Sequence, residues 1–306
     1  ITLSFWLYNT KTSFGNDPFR FDVTEIEILN EGNLIIGKKK GTVYTQNGIE
    51  VNADNFKYNK LTNILTASGD VVLEDNVSKI KIFTNEIFYE RNKEKIFTVS
   101  NSKVVSKDKG KEIEITADNL EYNKLSNIFY ARENVIIEDK LAKIKILTDK
   151  AVYKKNSETI NTSGRSKAFN ESIIIYGNMF QFDKSKNVIS AEGEVIIDDT
   201  LKNIKIFSDS AYFFKNENIF KTKNNSKAVD GSVTIEAQDF TYRRNKEILN
   251  AKNKVKIRDT YKNYTVLGNN ITYFKFEDKI FSKGLTDINL NFEYKFISKD
   301  VTILRS

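Results

Sequence analysis

Ala117-Asp118-Asn119-Leu120-Glu121-Tyr122, Asn123-Lys124-Leu125-Ser126 and Asn127-Ile128-Phe129-Tyr130-Ala131-Arg132-Glu133-Asn134-Val135 follow one another and decide the fold of this chain. Apolar and polar residues alternate on either side of a polar turn, which is a β-hairpin written in sequence. The stretch recurs from Ala53 to Val71, from Gly177 to Val195 and from Ala237 to Val255. The copies start at 53, 117, 177 and 237, at intervals of 64, 60 and 60 residues. A fixed period of this kind means stacked repeats, each too small to bury its apolar face alone.

Half-copies lie between the full ones. The aromatic that closes the first run recurs as Tyr58, Tyr89, Tyr122, Tyr153, Phe182, Phe213, Tyr242 and Tyr273, in steps of 31, 33, 31, 29, 31, 29 and 31. The unit is therefore about 30 residues long. Odd units close on Ala67 to Val71, Ala131 to Val135, Ala191 to Val195 and Ala251 to Val255. Each then reaches an aspartate at one offset: Asp75, Asp139, Asp199 or Asp259. Aspartate at such a place reads as a turn residue that bonds its own backbone. Even units open on Ile80-Lys81-Ile82, Ile144-Lys145-Ile146, Ile204-Lys205-Ile206 and Tyr264-Thr265-Val266.

Alternate residues of a strand share a face. Leu65, Ala67, Gly69, Val71 and Leu73 share an apolar one, and stacking joins such faces into a trough. A one-residue shift at Asp54-Asn55 reads as a bulge. The recurring alanines mark close packing or room for a guest. By equivalence between units, the expected lining of the trough is Phe56, Tyr58, Leu65, Leu120, Tyr122, Phe129, Phe180, Phe182, Ile189, Phe240, Tyr242 and Leu249.

Hydrophobic residues make up 40% of the 306 and charged residues 29%, a globular mix with much exposed surface. A single proline, Pro18, permits unbroken ladders of strands. Absence of histidine and cysteine excludes Ser-His-Asp and Cys-His catalysis, imidazole or thiolate metal sites and disulfides. The net charge of +7 favours anionic partners, although the lysines are scattered and suit a solvated β surface. Residues 1–20 read as the tail of a secretory signal peptide and a linker, and 21–306 as one repeat array. Ser106 to Lys111 and Ser163 to Ser172 read as longer loops, and Ser298 to Leu304 as the opening run of a further unit, cut short.

The pattern Ala-Asp-x-φ-x-Tyr…Asn-x-φ-x-Ala-x-Gly-x-Val, with φ apolar, resembles the OstA family of lipopolysaccharide transport proteins. It is best seen in Ala53 to Val71 and Gly177 to Val195. That family includes periplasmic bridge proteins (LptA type) and the N-terminal domain of the outer-membrane assembly protein (LptD type). The resemblance is closer to the second, with the first as the alternative. It implies an all-β fold: an elongated antiparallel β-jellyroll, or β-taco, whose two sheets form an open V around an apolar trough for lipid A acyl chains. It implies a periplasmic place attached to the outer membrane, and lipopolysaccharide as cargo. The implied partners are a bridge protein of the same fold, the chain's own outer-membrane barrel and its lipoprotein plug, with no nucleic acid. No cofactor, metal or catalytic residue is assigned, and no enzyme activity is expected. The upstream edge at Val23, Ile26 and Ile28 is the expected docking strand. Two rival readings are a parallel β-helix acting on polysaccharide and a structural array without ligand.

Overall fold

The computed structural model describes residues 18–108, 111–291 and 293–305. Most of the signal-peptide reading, residues 1–17, lies outside them. The chain forms two compact units that divide between Ser157 and Glu158. All regular structure in the described residues is β-strand, apart from single 3-10 turns of three residues. The first unit holds β1 (Phe19–Leu29), β2 (Leu34–Thr45), β3 (Ile49–Ala53), β4 (Asn55–Asn59), β5 (Ile64–Asp75), β6 (Ile80–Glu90), β7 (Lys95–Asp108), β8 (Lys111–Asn123), β9 (Ile128–Asp139) and β10 (Ile144–Lys154). The second holds β11 (Thr159–Ser163), β12 (Ser166–Asn170), β13 (Ile173–Gly177), β14 (Met179–Asp183), β15 (Val188–Asp199), β16 (Ile204–Phe214) and β17 (Ile219–Lys223). It continues with β18 (Ser226–Asp230), β19 (Val233–Ala237), β20 (Asp239–Arg243), β21 (Ile248–Asp259), β22 (Tyr264–Phe274), β23 (Lys279–Leu290) and β24 (Tyr294–Leu304).

Within each unit consecutive long strands pair antiparallel, as in Tyr58↔Leu65, Tyr122↔Phe129, Phe182↔Ile189 and Tyr242↔Leu249. This is the antiparallel hairpin array read from the repeats, and it is not a parallel β-helix. The hairpin turns close on a left-handed residue, commonly asparagine: Asn63, Asn127, Asn187, Asn203 and Asn263 have φ between 50° and 56°. Asparagine tolerates that region better than other side chains do.

Each long strand is bent at its middle. In β5 the register slips between Ser68 and Val71, where Gly69 and Asp70 have φ of 81° and 43°. Glu133 with Asn134, Gly193 with Glu194, and Asn253 with Lys254 repeat the device in β9, β15 and β21. Opposite Gly69 the facing strand breaks at Asp54, whose N–H donates to the Gly69 carbonyl at 3.0 Å. The shift at Asp54-Asn55 is thus one side of a corner. A Cβ on Gly69 would lie 2.6 Å from Asp54 Oδ2, so glycine is required there for space as well as for φ. Other strands turn the same corner with buried hydroxyls, as in Ser102 with Thr84 at 2.9 Å and Thr222 with Ser226 at 2.6 Å.

The corners fold each unit's ladder lengthwise into two layers, so both halves of one strand face the interior. β5 buries Leu65 and Ala67 from one half and Val71 and Leu73 from the other. One layer is aromatic and the other is isoleucine and valine. The alanines prove to be packing positions: Ala67, Ala131, Ala191 and Ala251 sit opposite Phe56, Leu120, Phe180 and Phe240 and are 2% exposed or less. The expected loops are mostly strand. Ser166–Asn170 is β12, folded back by the turn at Gly164 and Arg165, and β7 and β8 extend to Asp108 and from Lys111. Both stretches lack the long apolar runs of their neighbours, which hid their pairing.

Candidate functional site

Aromatic rings line one layer because the closing aromatic of every half-copy points inward. In the first unit Phe129 stacks on Tyr122 at 4.4 Å and on Tyr153 at 5.9 Å. In the second Phe220 stacks on Phe213 at 4.3 Å and lies 6.3 Å from Tyr242. The facing layer comes from the Ile-Lys-Ile openings and the ends of the odd units: Val71, Leu73, Ile80, Ile82, Val135 and Ile137 in the first unit. The layers touch. Phe19, on the aliphatic side, meets Tyr58 edge-on at 4.7 Å and Tyr89 at 5.8 Å.

The structure places all twelve expected lining residues inside, in rows, and none is more than 3% exposed. The twelve expected positions all fall in the aromatic layer, while Val71 and Leu73, read as continuing the face of Leu65, belong to the aliphatic layer with the Ile-Lys-Ile openings. The expectation was an open V; here the inward side chains of both layers are buried.

What closes the interior was missed as well. Turns of the aromatic layer form one lip and turns of the aliphatic layer the other. Along each lip, backbone bonds tie turn to turn: Arg91 N–H to Asn63 O and Lys124 N–H to Glu94 O on one, Asn76 N–H to Gly48 O and Lys107 N–H to Lys79 O on the other. Among the described residues, the bonds that cross from lip to lip are made by side chains. Lys124 Nζ and Tyr122 Oη donate to Asp75 Oδ2 at 2.6 and 3.2 Å, and Asn47 Nδ2 donates to Glu94 Oε2 at 2.8 Å. In the second unit Arg244 donates to both Asp199 oxygens, at 2.6 and 3.1 Å, and to Ser172 Oγ at 2.7 Å. Lys202 pairs with Glu247, Lys275 and Tyr273 with Asp230, and Arg305 with Asp259 at 2.8 Å.

Asp75, Asp199 and Asp259 are turn residues, as expected, and more. Asp75 Oδ1 accepts from the N–H groups of Val77 and Ser78 while Oδ2 takes the clamp. Part of the signal for the clamps was legible: each aromatic of the ladder is followed two residues later by a cation, Lys60, Arg91, Lys124, Lys155, Lys184, Lys215, Arg244 and Lys275; of these Lys124, Arg244 and Lys275 reach across the mouth, while Arg91 pairs with Glu94 on its own lip.

Burial pushes the Asp75 carboxyl up, but the Lys124 hydrogen bond, the Ser78 N–H and the Lys124 charge outweigh it and hold it below its ordinary 3.8. Asp259 is held down likewise: against burial stand the Lys262 N–H, Arg305 and Ser232. A folded pKa below the unfolded one gives stability that is complete above about 3.8 and lost as pH falls through the folded value. Acid titration should therefore lower the melting temperature steeply only below about pH 4, and Asp75→Asn should flatten that limb. An unchanged limb in the variant would contradict the assignment.

No family model matches this sequence, and no curated protein matches it either. Among solved structures it is similar to LptH, the LptA-homologous periplasmic component of the lipopolysaccharide transport device of Pseudomonas aeruginosa. The two share 17% identity and a TM-score of 0.35, over 38% of this chain and 81% of that one.

Proposed function

We propose that each unit is a lipid-conducting scaffold of lipopolysaccharide transport, which shelters acyl chains between its two layers. The observation that carries this reading is the mouth. The backbone ladders run along each lip and, among the described residues, only side chains bridge them, so the layers can part without breaking a ladder. Parting exposes rows of rings facing rows of isoleucine and valine, and each buried CH₂ of a guest is worth about 0.8 kcal/mol. The basic rim, within a net charge of +7, suits phosphorylated head groups. The periplasmic setting, and an assembly-type or bridge-type role within it, rest on the resemblance of the repeat.

A ligand-free structural array is the second reading, favoured by the completeness of interior burial. A fluorescent acyl-chain probe separates the two. The transport reading expects the purified chain to bind the probe and lipopolysaccharide to displace it. An array without ligand takes up no probe.

Docking to a protein of similar fold would run through β1, which β2 pairs along one side, with Ile26 and Ile28 37% and 62% exposed. Val23 faces Gly41 at the β1 bend. Ile26→Pro should abolish association with such a partner while leaving the far-UV circular dichroism unchanged. If association survives in a folded variant, it does not use this edge.

A further inference from the structure

Tyr242, on the inward face of β20, and Arg244, first residue of the turn that follows it, both belong to the aromatic layer and would stay together if the mouth opened. Asp199, the carboxylate partner of Arg244, belongs to the aliphatic layer. The same division separates Lys124 and Tyr122 from Asp75, and Lys275 and Tyr273 from Asp230. Opening therefore releases a cation beside a phenol donor, with the competing carboxylate withdrawn. A second observation marks the place. Tyr242 is 1% exposed, and its hydroxyl is buried without a hydrogen-bond partner among the described residues, an unusual state for a phenol. Tyr122 spends the equivalent hydroxyl on Asp75 and Asn127.

We propose that the aromatic-x-cation pairs of each unit form a phosphate track along that unit's own aromatic lip, and that at Lys124, Arg244 and Lys275 a carboxylate of the opposite lip stands in for phosphate while the mouth is closed. The ligand class is a phosphorylated amphiphile. Its phosphate takes the cation from the aspartate and accepts from the neighbouring phenol, while its chains enter between the layers. Guanidinium suits the task because its fork fits carboxylate and phosphate oxygens alike. The sequence carries the pair at all eight rungs of the aromatic ladder, with phenylalanine for tyrosine at Phe182 and Phe213. The proposal rests on the transport reading and adds to it what opens the mouth and where the head group sits.

The test compares dodecyl phosphate with dodecyl maltoside, both below their micelle concentrations, by calorimetric titration of the whole chain. The readout is the ratio of the two affinities, which cancels any general loosening of the mouth. Asp75→Asn and Asp199→Asn remove the competitor and should raise the ratio about tenfold. Lys124→Gln and Arg244→Gln break the same ion pairs and should lower it about tenfold. Arg244→Lys should recover part of the loss. Tyr242→Phe should lower the ratio without lowering the melting temperature, since the hydroxyl it removes has no partner. A ratio that moves the same way for both members of a pair, or does not move, would reduce the clamps to structural bolts and overturn the track. In that case binding of dodecyl maltoside would still leave the transport reading standing. Failure of both amphiphiles to bind any form would overturn the two together.

Discussion

Phe129→Asp unfolds the first unit, whereas Phe129→Ala leaves it folded and weaker by about 3–5 kcal/mol. Phe129 is 1% exposed, between the rings of Tyr122 and Tyr153. Alanine there removes a ring from the stack and leaves a cavity. Aspartate does the same and adds a carboxylate with no partner, in a place water does not reach. A wet, open groove would let an aspartate at this position block lipid more than it unfolds the array. The closed interior fails that condition. Urea unfolding followed by circular dichroism checks the result: Phe129→Asp should show no native baseline. A folded Phe129→Asp protein would mean that the interior opens readily in solution.

Asp199→Ala costs about 3–5 kcal/mol, because it leaves Arg244 buried and unpaired. The Asp199 side chain is fully buried and that of Arg244 only 11% exposed. Replacing both partners by leucine costs far less, since the desolvation of two charges disappears with them. Lys38→Ala, by contrast, leaves stability nearly unchanged, because Lys38 and Glu27 form a pair 42% and 47% exposed. A double-mutant cycle on Asp199 and Arg244 measures the coupling. Additive single losses would mean that the pair does not clamp the mouth.

Much of this was legible in the sequence. Strand period, hairpin turns and repeat length follow from alternation and from Asn at the turn positions, both of which are local. The rows of Phe56, Tyr58, Tyr122, Phe129 and Tyr242 follow from equivalence between units. The corners were half legible. Asp54-Asn55 broke the alternation visibly, while Gly69-Asp70 preserved it, so Val71 and Leu73 read as one flat face with Leu65. That single misreading hid the rest. A flat strand makes a trough; a strand bent at Gly69 folds onto itself and brings Asp75 across to Lys124, 49 residues later. Neither local alternation nor turn chemistry encodes a contact at that separation. The aromatic-x-cation spacing did, but it looked like turn polarity.

Site-specific photo-crosslinking to lipopolysaccharide tests the central claim most directly, with the crosslinker placed at Phe129, at Phe182 and at the outward Glu121. The account predicts adducts at Phe129 and Phe182 and none at Glu121. Equal labelling at all three positions, or none at the inner two, would contradict it.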